Sequence, residues 1–335
     1  MRRKWVAVGA VVALVGGIYL VNASWLAPLP VGRPGLLAHR GVHQTFHQEG
    51  LTNDTCTASR IYPPVNPYLE NTIPSMIASF ATGATVLELD VHPTTDGEFA
   101  VFHDWSLECR TNGHGVTRDQ SMAYLKTLDI GYGYTADGGK TFPFRGKGVG
   151  LMPTLNEVLT TFPSKQFVIN IKSNDPTEAD RLVAYLNAHG RPTDGRLWVF
   201  ADGRSGDRLR QLVPNARVIS RKQAKACAFS YLAWGWTGHV PSACRNNFIG
   251  VPVDLRWAYW GWPNRFLARM KTSGTLVMIV GQVGRGGWDG ISSAAQLQRL
   301  PTDFPGIILT DEIEKIGPAV RHRWPPGSTV QKPIN

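Results

Sequence analysis

From residue 35 onward, short apolar runs rich in β-branched residues alternate with amphipathic stretches, and this alternation limits the fold more than any other feature. Strand-like runs fall near Leu36–His39, Val86–Val91, Phe99–His103, Phe167–Ile171, Leu197–Phe200, Arg217–Ser220, Phe248–Val253, Thr275–Val280 and Gly306–Leu309. Helical segments are expected between them at Pro74–Thr82, Thr154–Phe162, Thr177–Ala188, Gly206–Leu212, Asn264–Thr272 and Ala294–Leu300. At the first of these, Thr72 can cap, Pro74 fits the first turn, and Met76, Ile77 and Phe80 form an apolar side. Strand followed by helix, repeated, is the pattern of βα units around a parallel sheet, and the number of units suits an α/β chain folded as a TIM (β/α)8 barrel. Two stretches, about 44–69 and 105–150, are polar or Gly-rich and read as loop insertions at the barrel mouth.

Before the barrel, Arg2, Arg3 and Lys4 precede an uncharged apolar run from Trp5 to Trp25, close to the ~20 residues that span a bilayer. Residues 1–27 are therefore expected to be one apolar helix, acting as a membrane anchor or signal segment. Residues 33–320 would form the barrel domain and 321–335 a loose Pro-containing tail. Val21 and Ala23 also fit the small-residue pattern ahead of a signal-peptidase cut, so secretion after cleavage is the alternative to anchoring. In both cases the remaining chain is expected outside the cytoplasm. Four cysteines suit an oxidising compartment, and among three pairings Cys56 with Cys109 and Cys227 with Cys244 are favoured, since each would tie loop or inserted segments together.

A net charge of +10 favours anionic surroundings or substrates. No basic run interleaved with aromatics and no Cys/His finger spacing points to nucleic acid, so none is expected as a partner. The glycines of Gly281-Gln-Val-Gly-Arg-Gly-Gly lack dinucleotide-fingerprint spacing and read as a loop. His43 and His47 fall four and eight residues after His39, but Gly41, Thr45 and Gly50 argue for a loop rather than a zinc-binding helix. The oligomeric state is not legible.

The chemistry-bearing residues cluster between Leu36 and Asp104. Residues two apart on a strand share a face, so Glu88 and Asp90 point into one cavity and need a cation; oxygen ligands favour Mg²⁺ or Ca²⁺. His39 and His103 close two apolar runs and can move protons, while Arg40 offers a planar fork for phosphate oxygens. Asn170 and Lys172 share a face: the first offers the metal a carbonyl oxygen, the second gives phosphate another positive contact. Glu70 could ligate the metal or orient Arg40. The aromatic clusters Tyr231, Trp234, Trp236 and Trp257, Tyr259, Trp260, Trp262 suit either a lipid-facing rim or ordinary packing.

His39-Arg40-Gly41, Glu70-Asn71-Thr72, Glu88-Leu89-Asp90-Val91, Thr95-Asp96-Gly97 and Val101-Phe102-His103-Asp104 together resemble the glycerophosphodiester phosphodiesterase family. Met152-Pro-Thr-Leu-Asn-Glu and Leu309-Thr310-Asp311 extend the resemblance toward the C-terminus. It implies a TIM barrel using His39 and His103 as acid/base pair, Arg40 and Lys172 as phosphate ligands, and Glu88 and Asp90 as metal ligands for Ca²⁺ or Mg²⁺. It also implies hydrolysis of glycerophosphodiesters to glycerol 3-phosphate and an alcohol, often through a cyclic phosphate. Asn170 stands where the family usually has Glu, which predicts weaker metal binding. Met278-Ile-Val-Gly-Gln-Val replaces the family's Trp-Thr-Val-Asn. Competing readings are a lysophospholipase D acting on monoacyl phospholipids and a catalytically silent barrel that binds envelope glycerophosphodiesters.

Overall fold

A computed structural model describes residues 2–52, 55–282 and 289–325, with only the backbone described for residue 2. The first element, α1 (Arg2–Asn22), is the expected apolar helix and is followed by a single 3-10 turn, Ser24–Leu26. The strands are β1 (Gly35–His39), β2 (Val86–Pro93), β3 (Phe99–Val101), β4 (Gln166–Ile171), β5 (Trp198–Phe200), β6 (Arg217–Ile219), β7 (Phe248–Pro252), β8 (Leu276–Val280) and β9 (Ile307–Thr310). The longer helices are α2 (Ile73–Thr82), α5 (Pro176–Ala188), α6 (Gly203–Leu212), α7 (Arg221–Trp234), α8 (Asn264–Thr272) and α10 (Ile313–Arg323). The shorter ones are α3 (Met122–Leu125), α4 (Leu155–Thr161) and α9 (Ala294–Leu297).

The order β6-β5-β4-β2-β1-β9-β8-β7 is parallel throughout, a nearly closed eight-stranded TIM barrel. The ninth strand, β3, pairs antiparallel with β2 and stands outside the barrel, which corrects the reading of Phe99–His103 as one longer strand. His103 lies two residues beyond its end.

Alternation along the strands sorts the core into two layers. Leu37, Val86, Val168, Ile307 and Leu309 pack inside the barrel, where Trp198 and Phe248 also meet edge to face at 5.8 Å. Their strand neighbours Leu87, Leu89, Phe167 and Ile169 face outward against α4 and α5. With a side-chain period of two, the inward set continues from Leu37 to His39, from Val86 to Glu88 and Asp90, and from Val168 to Asn170. The polar residues therefore form the next storey above an apolar floor.

Both expected disulfides are present: Cys56–Cys109 joins the two insertions, and Cys227–Cys244 ties α7 to the entry of β7. The insertions carry their own core of Ile61, Leu107, Leu125, Ile130 and Met152. Two of the longer helices exceed the sequence reading. α7 was masked by a nearly uniform mixture of Lys, Ala and aromatics, and α10 runs to Arg323 with Trp324 buried behind it. The tail expected from Arg321 thus begins as helix; its part from 326 onward, and residues 283–288 of the Gly281 loop, lie outside the described residues.

Candidate active site

The turn after β1 and the approach to α2 are both built on left-handed backbone. Arg40 has φ 59° and Asn71 φ 60°, a conformation that costs non-glycine residues roughly 1 kcal/mol or more and persists where the surroundings enforce it. Each braces the other, because Asn71 N donates to Arg40 O at 2.9 Å. Gly41 completes the turn at φ 85°, where a Cβ would overlap Ser75 Oγ. This requires glycine on both conformational and steric grounds. Thr72 then caps α2 by accepting from Ser75 N, so the helix start fixes Glu70 and Asn71 beside the β1 turn.

The register sets the floor of the site. His39 lies opposite Glu88, and Asp90 opposite Asn170. Asn170 Nδ2 donates to Glu88 Oε1 at 2.8 Å and to Asp90 Oδ1 at 3.0 Å, and Lys172 Nζ reaches Asp90 Oδ1 at 3.1 Å. On the other oxygen of Asp90, Asn71 Nδ2 donates at 2.9 Å and Arg40 Nε stands at 3.3 Å. Asp90 is wholly buried. Burial alone would raise its pKa, but Lys172 and Arg40 outweigh this and hold it well below the usual range. Glu88 moves the opposite way, raised by burial and by Asp90.

Each histidine is oriented through Nδ1 by its own carboxylate. His39 Nδ1 meets Asp311 Oδ1 at 2.6 Å, and its Nε2 lies 3.8 Å from Glu88 Oε2. His103 Nδ1 meets Asp104 Oδ1 at 2.7 Å. Their environments differ in sign. Burial and Arg40 lower the pKa of His39, but Glu88 and Asp311 reverse this and leave it raised. For His103, burial together with Arg40 and Lys172 takes it down to about 4.

Behind these groups lies Arg110, only 2% exposed. Its Nε stands 3.1 Å from Asp104 Oδ2 and its NH2 3.4 Å from Glu70 Oε1, while further bonds reach Tyr134 Oη and Thr57 Oγ1 at 3.0 and 2.8 Å. Glu70 Oε1 also takes Arg40 NH1 at 3.1 Å. Glu70 is thus held by two guanidiniums, the geometry expected of the orienting role. Asp311 and Asp104 were within the quoted motifs without an assigned role. Arg110 had no local signature, because its partners come from four separate segments. His43 is buried on Gly41 O, and His47 stacks on Tyr62 elsewhere, so the three histidines at four-residue spacing do not converge on a metal.

Could this donor set take a cation? Glu88 Oε2 is buried without a hydrogen-bond partner among the described residues, and a carboxylate pair at this depth favours a neutralising ion. Asn170 spans both carboxylates and, turned over, would offer its oxygen instead. No group of three or more His, Cys, Asp or Glu arranged to hold a metal occurs among the described residues. The residues fit a hard divalent ion held by Glu88, Asp90 and the Asn170 carbonyl.

The fold and this polar storey at the strand ends define the class: a TIM barrel with a mouth lined by histidines, carboxylates and basic side chains. Residues 39–198 match the glycerophosphoryl diester phosphodiesterase family model. It is 33% identical over 171 residues to a glycerophosphodiester phosphodiesterase of Bacillus subtilis, covering 48% of this chain and 57% of that protein. A second, from Caldanaerobacter subterraneus, is 37% identical over 103 residues, 31% of this chain and 39% of that protein. The chain thus spans about half the length of these curated relatives or less. Among solved structures, the glycerophosphoryl diester phosphodiesterase domain of an uncharacterized Mycobacterium tuberculosis protein superposes with TM-score 0.58 at 17% identity, over 87% of this chain and 99% of that one. An Oleispira antarctica phosphodiesterase, solved with the product sn-glycerol-3-phosphate, gives TM-score 0.52 at 18% identity, over 86% of this chain and 97% of that one. At these identities the structures speak for the fold.

Proposed function

We propose that this protein hydrolyses glycerophosphodiesters to glycerol 3-phosphate and an alcohol, using His39 and His103 as the proton-transfer pair and a divalent cation, Ca²⁺ or Mg²⁺, held by Glu88, Asp90 and Asn170. The observation that carries this reading is the pair of carboxylate-oriented histidines around a cationic, carboxylate-floored mouth. Arg40 and Lys172 supply positive charge for the two non-bridging phosphate oxygens. The neutral ring of His103 takes the proton from the attacking hydroxyl, either water or the substrate's own neighbouring hydroxyl, and in the second case water then opens the cyclic phosphate to glycerol 3-phosphate. His39, its pKa raised by Glu88 and Asp311 against burial and Arg40, gives its proton to the departing alkoxide. A bound cation supplies charge neutralisation at the phosphate. Glu70 orients Arg40 and takes no metal. The substrate is a small-molecule or lipid-derived phosphodiester, and α1 is read as a membrane anchor with the catalytic domain outside the cytoplasm.

The test is product identification by mass spectrometry from glycerophosphocholine, glycerophosphoethanolamine, glycerophosphoinositol and a lysophospholipid, with Ca²⁺, Mg²⁺ or chelator. Glycerol 3-phosphate release should fall by roughly 10²- to 10⁴-fold in His39→Ala and in His103→Ala, with the fold intact. Near-normal rates in either variant remove that histidine from the mechanism. The exposed aromatics at the junction of α1 with the barrel favour the lysophospholipase D reading as a second activity, which acylated product would reveal.

A further inference from the structure

Four exposed tryptophans play no part in the site, and the segments that carry them lie side by side. Trp25 follows α1, Trp234 ends α7, and Trp257 and Trp260 lie in the loop between β7 and α8. Their exposures of 67%, 60%, 71% and 37% are large for side chains of this size. These segments are bonded together. Trp260 Nε1 donates to Leu232 O of α7 at 2.9 Å, and Tyr231 Oη donates to Trp260 O at 2.8 Å.

The end of α1 is fastened to the same spot. Arg269 of α8 donates to Val21 O at 2.8 Å and to Asn22 Oδ1 at 3.0 Å, a cation at the negative end of a helix. Asn22 Nδ2 donates to Trp236 O at 2.7 Å, and Asn264 N to Ser24 Oγ at 2.9 Å. The apolar helix therefore enters the barrel through a fixed joint.

Length then places the joint. The apolar window Arg3–Asn22 has 20 residues of mean hydropathy 2.0, none of it buried. At 1.5 Å per residue it spans roughly 30 Å, the full hydrocarbon core, which leaves Asn22 and everything bonded to it at the headgroup layer. Tryptophan is the side chain that partitions to that layer.

Resting on the reading of α1 as a membrane span, we propose that Trp25, Trp234, Trp257 and Trp260 form a collar seating the barrel on the phospholipid headgroup layer. The domain is held in a fixed attitude rather than tethered at a distance. The loop after β7 belongs to the mouth face of a TIM barrel, so Trp257 and Trp260 set one lip of the mouth at the lipid surface. The net charge of +10 suits anionic headgroups.

The test uses the full chain in phosphatidylcholine/phosphatidylglycerol nanodiscs containing 6,7-dibrominated phosphatidylcholine, which quenches tryptophans near the interface. Trp234→Phe/Trp257→Phe/Trp260→Phe should lose roughly half of the quenchable emission, whereas Trp198→Phe in the barrel interior should lose none. Arg269→Gln should reduce quenching of Trp234, Trp257 and Trp260 while Trp5 and Trp25 remain quenched. An unchanged quenched fraction in the triple variant overturns the collar. So does unchanged quenching accompanied by a shift from dimer to monomer in detergent, which assigns the patch to a second copy. Intact mass of the extracted protein reports separately on the underlying reading: loss of the first ~23 residues would show that α1 is cleaved and not a span.

Discussion

Asn170 is the residue on which the proposed cation site turns. Its amide nitrogen bridges Glu88 and Asp90 at 2.8 and 3.0 Å, a position where a third carboxylate would add negative charge to the floor. A neutral amide leaves Asp90 to be balanced by Lys172 and Arg40 alone. A cation in this site therefore meets two formal negative charges. We expect Asn170→Glu to tighten Ca²⁺ or Mg²⁺ binding about tenfold, ~1.4 kcal/mol, measured by isothermal titration calorimetry independently of turnover. Unchanged or weaker binding would remove position 170 from the ligand set. The same residue scale explains what the sequence could reveal. Period two along β2 and β4 was enough to pair Glu88 with Asp90 and Asn170 with Lys172. Arg40 was a candidate partner of Glu70 from the sequence, but Arg110 was out of reach, since it meets Glu70 from another segment.

At the scale of elements, the two insertions act as one buttress. Cys56–Cys109 closes a sequence separation of 53 residues and places Arg110, the next residue, against Asp104 and Glu70. In the chain-entropy account a loop of that size confers about 4 kcal/mol. Cys56→Ser/Cys109→Ser should therefore lower the free energy of unfolding by about 2–5 kcal/mol in urea titrations. It should also reduce kcat more than it raises KM, because Arg110 steadies the carboxylate behind His103. Stability loss with unchanged kcat would limit the disulfide to a structural role. The separation of 17 residues at Cys227–Cys244 predicts a smaller loss, about 3 kcal/mol.

For the whole molecule, the buried ion pairs of the mouth couple folding to pH. Burial would raise the Glu70 pKa, but Arg110 and Arg40 bring it down to about 2 from 4.5. A depressed folded value contributes stability that is fully present above pH 4.5 and is lost as pH falls from there toward 2. Asp104 and Asp311 shift in the same direction, held down by Arg110 and His39 respectively against their burial. Unfolding free energy should decline over that acid window, and Glu70→Gln should flatten part of the decline while lowering stability at pH 7. The check is urea midpoints at pH 7, 4.5 and 3; a Glu70→Gln slope parallel to the parent's would assign the acid limb to the other carboxylates.

The sequence by itself determined the barrel, its apolar first helix, the paired strand carboxylates and the two histidines, because period-two and period-3.6 patterns and short motifs are local and survive being read one residue at a time. It also pointed to the disulfides, through which segments they would tie. Tertiary structure alone decided that β3 leaves the barrel wall, that Glu70 serves two arginines, and that Asp311 and Asp104 orient His39 and His103. It alone fastened α1 to α8 through Arg269. The contacts of Glu70, Asp311 and Arg269 join segments 30 to 272 residues apart, where the energy comes from burial and charge pairing across space and leaves no period in the chain.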